Sequence, residues 1–474
     1  MERIGTRKLR VMLVPLPLQG HLTPMLQLAS VLHLRGFSVI VAHTEFNSPN
    51  PENHPDFTFI PLKDGVCSPS ANLLDMISAI NTNCKEPLEK CIVELQGQLS
   101  CIIYDSLLHF VDTVAHHLKL PTIFFRPSTA VYMQSYLSLL SLHGKMIIPL
   151  PGLCVSPVLC KHTVYNLMYD LTTKLLAESH LEEAVPELHP IIRFKDLPLS
   201  VLSKIPQVVI DFVKSFSDIK SSVAVIWNSV EILDDFSIHQ QYQVPFFPIG
   251  PLHKMASSSS SMPTSLLQED PGCIAWLDKQ ALKSVLYVSL GSLATLSSEA
   301  LVETAMGIAN SGQPFLWAIR PSSVAGSEWI ECLPQGLRGV IQERGLIVKW
   351  APQKEVLAHP AVGGFLSHCG WNSTLESLSQ GVAMICMPFF GDQMINARFS
   401  VHVWEVGVEI GNMADRKSIE EAVRALMVDE QGKEMRCRAA EIKHKLHLSM
   451  VKGGSSCRAL EDLVEFITSL SAPK

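Results

Sequence analysis

Short runs of apolar and β-branched residues alternate with longer amphipathic stretches from Arg10 to about Pro251. The runs RVMLVPL, FSVIVAH, CIIYD, TIFF and VAVIWNS predict strands, and Leu22–Leu34, stopped by Gly36, predicts a helix between the first two. Alternation of this kind is typical of βαβ units, in which helices join parallel strands. The first half of the chain is therefore predicted to be an α/β domain with a parallel sheet.

A serine-rich tract, MASSSSSM at Met255–Met262, interrupts this pattern and has the composition of a linker. The alternation then restarts, with SVLYVSLG, PFLWAI, LIVKW, VGGFLSH and VAMICMP as predicted strands and Ser297–Asn310 as a predicted helix. Near the end of the chain, Ser455–Leu470 predicts a terminal helix. A second α/β domain is the expectation.

The predicted fold class is therefore α/β, with two Rossmann-like domains that face each other across a cleft. We expect an N-terminal domain over residues 1–252 and a C-terminal domain over 253–454, which begins with a linker at about 253–268. Residues 455–474 are expected to pack back on the N-terminal domain. Ligands of such sheets bind at the carboxyl ends of the strands.

Composition narrows the classes of partner. The 474 residues are enough for two cores, and 47% hydrophobic against 18% charged residues argues against a disordered chain. The net charge of −7 and the absence of any basic block argue against nucleic acid and anionic membranes as partners. The 12 cysteines form no C-x-x-C pair, which indicates reduced thiols and no zinc site.

The N-terminus carries a basic segment followed by the apolar run Val11–Leu18. Pro15 and Pro17 break this run, which leads into Gln19-Gly20-His21 rather than a cleavage site, so it predicts a first core strand and not a signal peptide. No apolar stretch reaches the roughly 18 residues of a membrane helix. We expect a cytoplasmic protein without membrane insertion.

The absence of several motifs restricts how the chain can bind an anion. The dinucleotide fingerprint G-x-G-x-x-G, the phosphate-binding G-x-x-x-x-G-K-[ST] and the hydrolase motif G-x-S-x-G do not occur. No D-x-D pair occurs either, which disfavours a metal that holds a diphosphate. We expect neither a metal nor a cofactor.

One strand–turn–helix offers an anion site that needs no metal. The strand VGGFLSH turns through Cys369-Gly370 into a helix predicted to begin near Trp371. Asn372, Ser373 and Thr374 favour helix starts, and the free N–H groups and the dipole of a helix N-terminus attract phosphate. His368 and Ser373 flank the turn and can donate hydrogen bonds. For such a unit alone, an ordinary capped helix is the simpler interpretation.

The surrounding segment, WAPQKEVLAHPAVGGFLSHCGWNSTLESLSQGVAMICMPFFGDQ, spans 44 residues from Trp350 to Gln393. Its W-x-x-Q opening, H-x-G-W-N-S-x-x-E centre and D-Q close resemble the signature box of the plant family 1 UDP-glycosyltransferases. The chain departs from the family pattern at two positions, where Ala383 replaces a usual proline and Ser367 a common threonine. We expect only local backbone effects from both.

The resemblance implies a role for each matching residue. Uracil would stack on Trp350 and bind Gln353, and the ribose hydroxyls would bind Glu376. The diphosphate would be held by His368, Asn372 and Ser373, and the sugar by Trp371, Asp392 and Gln393. The turn Ser289-Leu290-Gly291-Ser292 resembles a further donor contact, with Ser292 near the phosphates. A plain turn at the end of a strand is the alternative for that segment.

A candidate base lies where the first strand meets the first helix. The stretch PLPLQGHLTP resembles the family's N-terminal motif, in which His21 is the general base. Imidazole has the pKa range for proton transfer at neutral pH. Asp105 ends the strand CIIYD at the same sheet edge and matches the family's second catalytic residue, which would orient the ring. The alternative for Asp105 is a helix cap.

The acceptor is expected to bind the first half, along the loop after Leu16, the predicted helix Leu73–Leu88 and Arg126–Leu142. These segments are rich in apolar side chains, which suit a lipophilic molecule. Arg126 is a candidate contact for an acceptor carboxylate, with a structural salt bridge as the alternative. The chain is similar overall to the branch with cytokinin and diterpenoid glucosyltransferases, in which the acceptor varies.

We expect a monomeric enzyme. It would transfer glucose, with inversion, from the co-substrate UDP-glucose to a hydroxyl, carboxyl or nitrogen of a small lipophilic plant metabolite. Two functions of other classes stay open: a UDP-sugar epimerase, which would consume the UDP-sugar without an acceptor, and a binding protein for a small hormone, which would form no glycoside.

Overall fold

The computed structural model describes residues 8–66, 73–95, 97–144, 181–186, 188–197, 210, 213–214, 217, 221–237, 244–256, 265–411 and 414–470. The chain divides into two compact units. The first comprises Met1–Leu175, Val201–Leu266 and Leu448–Lys474, and the second comprises Leu176–Ser200 and Leu267–His447. The described part of each unit is an α/β fold around a single parallel sheet.

The sheet of the first unit has the strand order β3-β2-β1-β4-β5-β6-β7. Its strands are β1 (Arg10–Val14), β2 (Ser38–Thr44), β3 (Thr58–Leu62), β4 (Leu99–Asp105), β5 (Thr122–Arg126), β6 (Ala224–Trp227) and β7 (Phe246–Pro248). The sheet of the second unit has the order β10-β9-β8-β11-β12-β13. Its strands are β8 (Val285–Ser289), β9 (Phe315–Ala318), β10 (Gly345–Val348), β11 (Val362–Ser367), β12 (Met384–Cys386) and β13 (Gly407–Glu409).

Helices follow most of the strands. Those in the described residues are α1 (Gln19–Leu34), α2 (Leu73–Asn83), α3 (Lys85–Glu94), α4 (Phe110–His117), α5 (Ala130–Gly144), α6 (Leu252–Met255), α7 (Gly272–Leu277), α8 (Ser298–Asn310), α9 (Gln335–Arg344), α10 (Gln353–Ala358), α11 (Trp371–Gln380), α12 (Gln393–His402), α13 (Arg416–Met427), α14 (Glu430–Met450) and α15 (Ser455–Leu470). The parallel sheets confirm the predicted α/β fold class with two Rossmann-like domains.

Strand β1 is buried on both faces of its sheet. Met12 and Val14 belong to one apolar cluster, and Val11 and Leu13 belong to the cluster on the opposite face. This division follows from the period of two in an extended strand, and burial on both sides is typical of parallel sheets. Helix α15 packs on the second of these faces through a short apolar stripe of Leu460, Leu463 and Ile467.

Two helices differ from their predicted bounds. Helix α1 begins at Gln19 rather than Leu22, because the amides of His21 and Leu22 already donate to the carbonyl of Leu18. The predicted helix Leu73–Leu88 is two helices, α2 and α3, separated at Cys84. Pro87 accounts for the break, since it has no amide hydrogen to donate one turn back and is tolerated only in the first turn of a helix.

The second unit runs from Leu267 to His447 rather than over the predicted 253–454, and it also includes one segment from the first half of the chain. Residues 181–186 and 188–197 belong to the second unit, whereas the sequence predicts a continuous domain over 1–252. Polar contacts with Arg398 hold the segment there: Arg398 Nε donates to the Ile191 carbonyl at 3.1 Å and lies 3.5 Å from the buried Asp196 Oδ2. Within the predicted linker, residues 257–264 lie outside the described part of the chain.

Candidate functional site

The predicted base and its partner meet at one edge of the first unit's sheet. Strands β1 and β4 are neighbours and run parallel, so their carboxyl ends lie side by side. Asp105 is the last residue of β4, and His21 lies in the first turn of α1, which follows β1. His21 Nδ1 is 2.7 Å from Asp105 Oδ2, with the His21 side chain 27% exposed and Asp105 fully buried.

The geometry assigns the tautomer of this imidazole. A carboxylate only accepts hydrogen bonds, so the proton between the two groups is on His21 Nδ1. Nε2 is then the ring nitrogen that can take up a proton. Such an arrangement suits a general base whose positive charge, once formed, is stabilised by a buried carboxylate.

The helix-cap alternative for Asp105 accounts for little of what this carboxylate does. Its Oδ1 accepts a hydrogen bond from the Leu107 amide at 3.1 Å, within the turn after β4. Helix α4 begins only at Phe110, whose amide donates to Asn81 Oδ1 at 3.1 Å. One oxygen of Asp105 therefore orders the turn, and the other contacts His21.

The anion-binding turn of the second unit lies between β11 and α11. Helix α11 begins at Trp371, as predicted, but its N-cap is Gly370, which offers no side chain to the first turn. Asn372, Ser373 and Thr374 lie inside that turn rather than capping it. Cys369 adopts the left-handed backbone conformation, with φ of 63°, and its amide donates to Ser367 Oγ at 3.0 Å. The serine hydroxyl thus stabilises a strained turn.

His368 is enclosed by two glycines. A Cβ atom at Gly291 would lie 2.4 Å from His368 Nε2, and one at Gly370 would lie 2.5 Å from it, so a side chain at either position would collide with the ring. Gly291 also has φ of 74°, which favours glycine. Ser292 follows on this turn and is partly exposed. Burial lowers the pKa of His368 to about 4, with the Ser289 backbone opposing that shift, so the ring is neutral at pH 7.

The residues predicted to hold uracil and ribose form a hydrogen-bonded network. Gln353 Nε2 donates to Ser373 Oγ at 2.9 Å and to Glu376 Oε2 at 2.8 Å. The hydroxyl of the buried Tyr287 donates to Gln353 Oε1 at 3.2 Å. These bonds orient the amide, and burial raises the pKa of Tyr287, which keeps its hydroxyl protonated as a donor. Ser373, which the resemblance assigns to the diphosphate, therefore also contacts Gln353, which the resemblance assigns to uracil.

The residues predicted to contact the sugar lie around the N-termini of α11 and α12. The Trp371 amide donates to Asp392 Oδ2 at 3.2 Å, and the indole of Trp371 is buried, 6.3 Å from the Trp404 ring. Gln393 is also buried, and its Oε1 accepts the amides of Phe389 at 2.9 Å and Phe390 at 3.2 Å. Backbone amides thus anchor both Asp392 and Gln393 through a side-chain oxygen.

The structure also shows the surroundings of three further predicted site residues, Trp350, Asn372 and Arg126. Trp350 is partly exposed just before α10, and its carbonyl accepts the Asp270 amide at 3.0 Å. Asn372 is partly exposed in the first turn of α11. Arg126 ends β5 fully buried, with its guanidinium carbon 5.5 Å from the Trp227 ring centre and 5.6 Å from that of Phe124. Its contact with an acceptor stays a prediction, as do the roles of all the predicted site residues.

Two residues of the second unit join the site without having been predicted from the sequence. Tyr287 lies on β8, and Asn396 lies one turn after Asp392 on α12, where its side chain donates to that carboxylate at 2.9 Å. The spacing of four between Asp392 and Asn396 is the signal that could have indicated the second of them.

Two features are absent from the described residues. These residues contain no group of three or more His, Cys, Asp or Glu side chains placed to hold a metal ion. In the same part of the chain, no helix is long and apolar enough to cross a membrane.

Comparison with known proteins places these features in a family. Residues 264–448 match the family model of UDP-glucoronosyl and UDP-glucosyl transferases. UDP-glycosyltransferase 76E1 of Solanum lycopersicum is 47% identical over 98% of this chain and 93% of its own length. Flavonol 3-O-glucosyltransferase UGT76E12 of Arabidopsis thaliana is 42% identical, and the alignment covers 99% of each chain.

Solved structures agree with this assignment. A UDP-glucose: anthocyanidin 3-O-glucosyltransferase in complex with UDP has a TM-score of 0.76 at 26% identity, over 98% of this chain and 99% of its own. UGT2 of Phytolacca americana, complexed with UDP-2fluoro-glucose and pterostilbene, has the same TM-score and identity, over 98% of this chain and all of its own. The chain therefore belongs to the plant family 1 UDP-glycosyltransferases, enzymes of GT-B fold that transfer a glycosyl group to small metabolites.

Proposed function

We propose that this enzyme transfers glucose from UDP-glucose to a small lipophilic metabolite with inversion at the anomeric carbon. The observation that carries the proposal is the 2.7 Å contact between His21 Nδ1 and Asp105 Oδ2 at the sheet edge. A partly exposed imidazole backed by a buried carboxylate is what proton removal from an acceptor requires. The choice of donor is supported by the complex of Phytolacca americana UGT2 with UDP-2fluoro-glucose and by relatives named as glucosyltransferases.

The proposed reaction is a single displacement. His21 Nε2 takes the proton of an acceptor hydroxyl as its oxygen attacks the anomeric carbon of UDP-glucose. The bond from that carbon to the diphosphate oxygen breaks, and UDP leaves with the electron pair. Attack from the face opposite to UDP converts an α-linked donor into a β-glucoside. Asp105 stabilises the imidazolium until the proton passes to solvent.

The second unit is proposed to bind the donor. Trp350 would stack on uracil, Gln353 would hold its edge, and Glu376 would accept hydrogen bonds from the ribose. These three roles follow the resemblance to the family's signature box and agree with the hydrogen bonds that orient the Gln353 amide.

The diphosphate is proposed to bind at the first turn of α11. Backbone N–H groups of that turn and the side chains of Asn372, Ser373 and Ser292 would donate hydrogen bonds to it. His368, neutral at pH 7, would donate a hydrogen bond rather than supply a full charge. Neither a metal nor a further cofactor takes part in this scheme.

The acceptor is proposed to bind the first unit. Lipophilic acceptors are supported by the pterostilbene bound to UGT2 and by the flavonol in the name of the UGT76E12 relative. A hydroxyl is the group that the His21 mechanism activates best, because an alcohol becomes a competent nucleophile only as it loses its proton. A carboxylate acceptor would need no base, so its transfer would depend far less on His21.

An acceptor screen tests the proposal. The purified chain is incubated with UDP-glucose and a panel of phenolic, terpenoid and fatty-acid acceptors, and products are read by mass spectrometry. We expect glucosides of some members, with a β-anomeric proton coupling by NMR. Conversion of UDP-glucose to another UDP-sugar without an acceptor would favour the epimerase. Tight acceptor binding without any glycoside would favour the binding protein.

A further inference from the structure

Asn396 is a buried amide at the junction of α11 and α12. It is 1% exposed, and its Nδ2 makes two hydrogen bonds of 2.9 Å, one to the Cys369 carbonyl and one to Asp392 Oδ2. An amide nitrogen carries two hydrogens, so both are used. The side chain therefore joins the strained turn before α11 to the carboxylate at the start of α12.

Two hydrogen-bond donors contact the same carboxylate oxygen of Asp392. Asp392 Oδ2 accepts both the Asn396 amide and the Trp371 backbone amide, the latter at 3.2 Å. Two donors on one oxygen restrict the rotation of the carboxylate. Asp392 is thereby held as a hydrogen-bond acceptor of defined direction, and hydrogen bonds to a charged group are among the stronger ones.

The neighbouring residue, Gln393, is oriented so that it presents a hydrogen-bond donor, where Asp392 presents an acceptor. Gln393 Oε1 accepts the backbone amides of Phe389 and Phe390, so its carbonyl faces the loop and its Nε2 is directed the other way. Asp392 and Gln393 therefore present an acceptor and a donor from adjacent positions. Glucose and galactose differ only in the direction of one hydroxyl, and a pair of fixed polarity distinguishes the two directions.

We propose that Asn396 is a positioning residue for recognition of the donor sugar, acting through Asp392. The inference rests on the proposed transfer from UDP-glucose and adds to it a residue outside the 44-residue box. Asn396 contacts no substrate in this scheme. It holds the Asp392 carboxylate in the one direction that complements glucose, and it acts on the sugar rather than on the nucleotide.

The variant Asn396→Asp tests this with almost no change of shape. The donor that faced Asp392 becomes an acceptor, so the carboxylate loses that partner and turns away. We expect kcat/KM for UDP-glucose to fall by about 10- to 100-fold, the loss typical of a hydrogen bond to a charged group. The ratio of kcat/KM between UDP-glucose and UDP-galactose should fall as well. The Kd of UDP alone, measured by calorimetry, should stay close to the wild-type value.

The pH dependence of kcat/KM for N396D is a readout that a merely structural role of Asn396 would leave unchanged. Two facing carboxyl groups share a proton at low pH, because like charges raise the pKa of one of them. That proton restores a donor between positions 396 and 392. Relative to the wild type at each pH, kcat/KM of N396D should therefore rise as the pH falls from 8 to 5.5.

Ser400→Ala is the matched control. Ser400 is buried one turn further along α12, and its hydroxyl donates at 2.8 Å to the backbone carbonyl of Asn396, which leaves the side-chain amide in place. This variant should keep the sugar ratio of the wild type. If N396D does not fold, as judged by its melting transition, Asn396→Ser removes the amide without adding charge and gives the same comparison.

Two outcomes would overturn the proposal. An equal loss of UDP affinity and of kcat/KM would mean that Asn396 supports the whole helix. A lower kcat/KM with an unchanged sugar ratio would mean that it does not act on the sugar. Failure of the proposed function has a different signature, since the wild type itself would then form no glucoside from UDP-glucose.

Discussion

The candidate sites of the two units are built in contrasting ways. In the first unit, one contact between His21 and Asp105 supplies all the proposed proton chemistry. In the second unit, the residues proposed to bind the UDP-sugar form hydrogen bonds with one another, as Gln353 does with Ser373 and Glu376. The proposed base is backed by a buried carboxylate, whereas the residues proposed to bind the UDP-sugar orient one another through a network of hydrogen bonds.

This difference predicts how the two regions respond to substitution. Losing a unique proton acceptor removes a chemical step, whose rate contribution is multiplicative. Losing one member of a network weakens orientation and binding, and the other members partly maintain the geometry. Variants of the first unit should therefore lower kcat, and those of the second should change KM and the choice of sugar.

The largest effect is expected for His21→Ala. The variant keeps the donor residues of the second unit and loses the only proposed base, so transfer to a hydroxyl should fall by about 100- to 10,000-fold. The Kd of UDP should be nearly unchanged. Single-turnover kinetics with one hydroxyl acceptor measure the loss of transfer, and calorimetry with UDP measures the Kd. Near-normal turnover would remove His21 from the mechanism.

Asp105→Asn should be severe, though less complete. The asparagine can still accept the Leu107 amide with its oxygen, but it cannot stabilise an imidazolium as a carboxylate does. We expect kcat to fall by about 10- to 1,000-fold, since the base itself survives. The rate of His21→Ala/Asp105→Asn should match that of His21→Ala alone. Additive losses in this double-mutant cycle would contradict coupling between the two residues.

Gln393→Glu tests the proposed sugar-binding residues of the second unit. A glutamate oxygen can still accept the Phe389 and Phe390 amides, while the amide donor proposed to face the sugar becomes an acceptor. An unpaired polar group in a desolvated site costs about 1–3 kcal/mol, so the preference for UDP-glucose over UDP-galactose should fall by roughly 5- to 150-fold. The two kcat/KM values with one fixed acceptor measure this. Gln393→Ala, which also removes the loop contact, should lose more rate.

Tyr287→Phe should have a small effect confined to donor binding. It deletes the hydrogen bond of 3.2 Å to Gln353 Oε1, while Gln353 keeps its bonds to Ser373 and Glu376. A neutral hydrogen bond contributes about 0.5–1.5 kcal/mol, which corresponds to a rise in the KM of UDP-glucose of roughly 2- to 13-fold at similar kcat. Steady-state kinetics at saturating acceptor test this. A drop in kcat with constant KM would show that Tyr287 acts elsewhere.

No effect at all is expected from chelation. The proposed diphosphate site uses a helix N-terminus and neutral donors, so EDTA should leave turnover unchanged. The assay is initial rate after dialysis against EDTA, with and without added magnesium or manganese. Activity that disappears with EDTA and returns with either metal would show that the anion site is incomplete as described.

Much of the fold can be predicted from local pattern. Strand VGGFLSH corresponds to β11, and the terminal helix matches Ser455–Leu470 at both ends. The periodicity of apolar residues reports which segments are strands and helices, because each must bury one side. The break at Cys84 escapes such a prediction, because the apolar pattern around Pro87 fits one continuous helix as well as the start of a new one. Placement of residues 181–186 and 188–197 with the second unit depends on polar contacts with residues distant in sequence and has no local signal.

The family, the α/β class and the residue types at both candidate sites follow from the amino-acid sequence alone, because motifs and strand–helix alternation encode them. The pairing of side chains became visible only in three dimensions. His21 and Asp105 are 84 positions apart and meet because β1 and β4 are adjacent in the sheet. Likewise, Asn396 reaches Cys369 across 27 positions. Hydrogen bonds between groups so far apart depend on sheet order and helix packing, which no local pattern encodes.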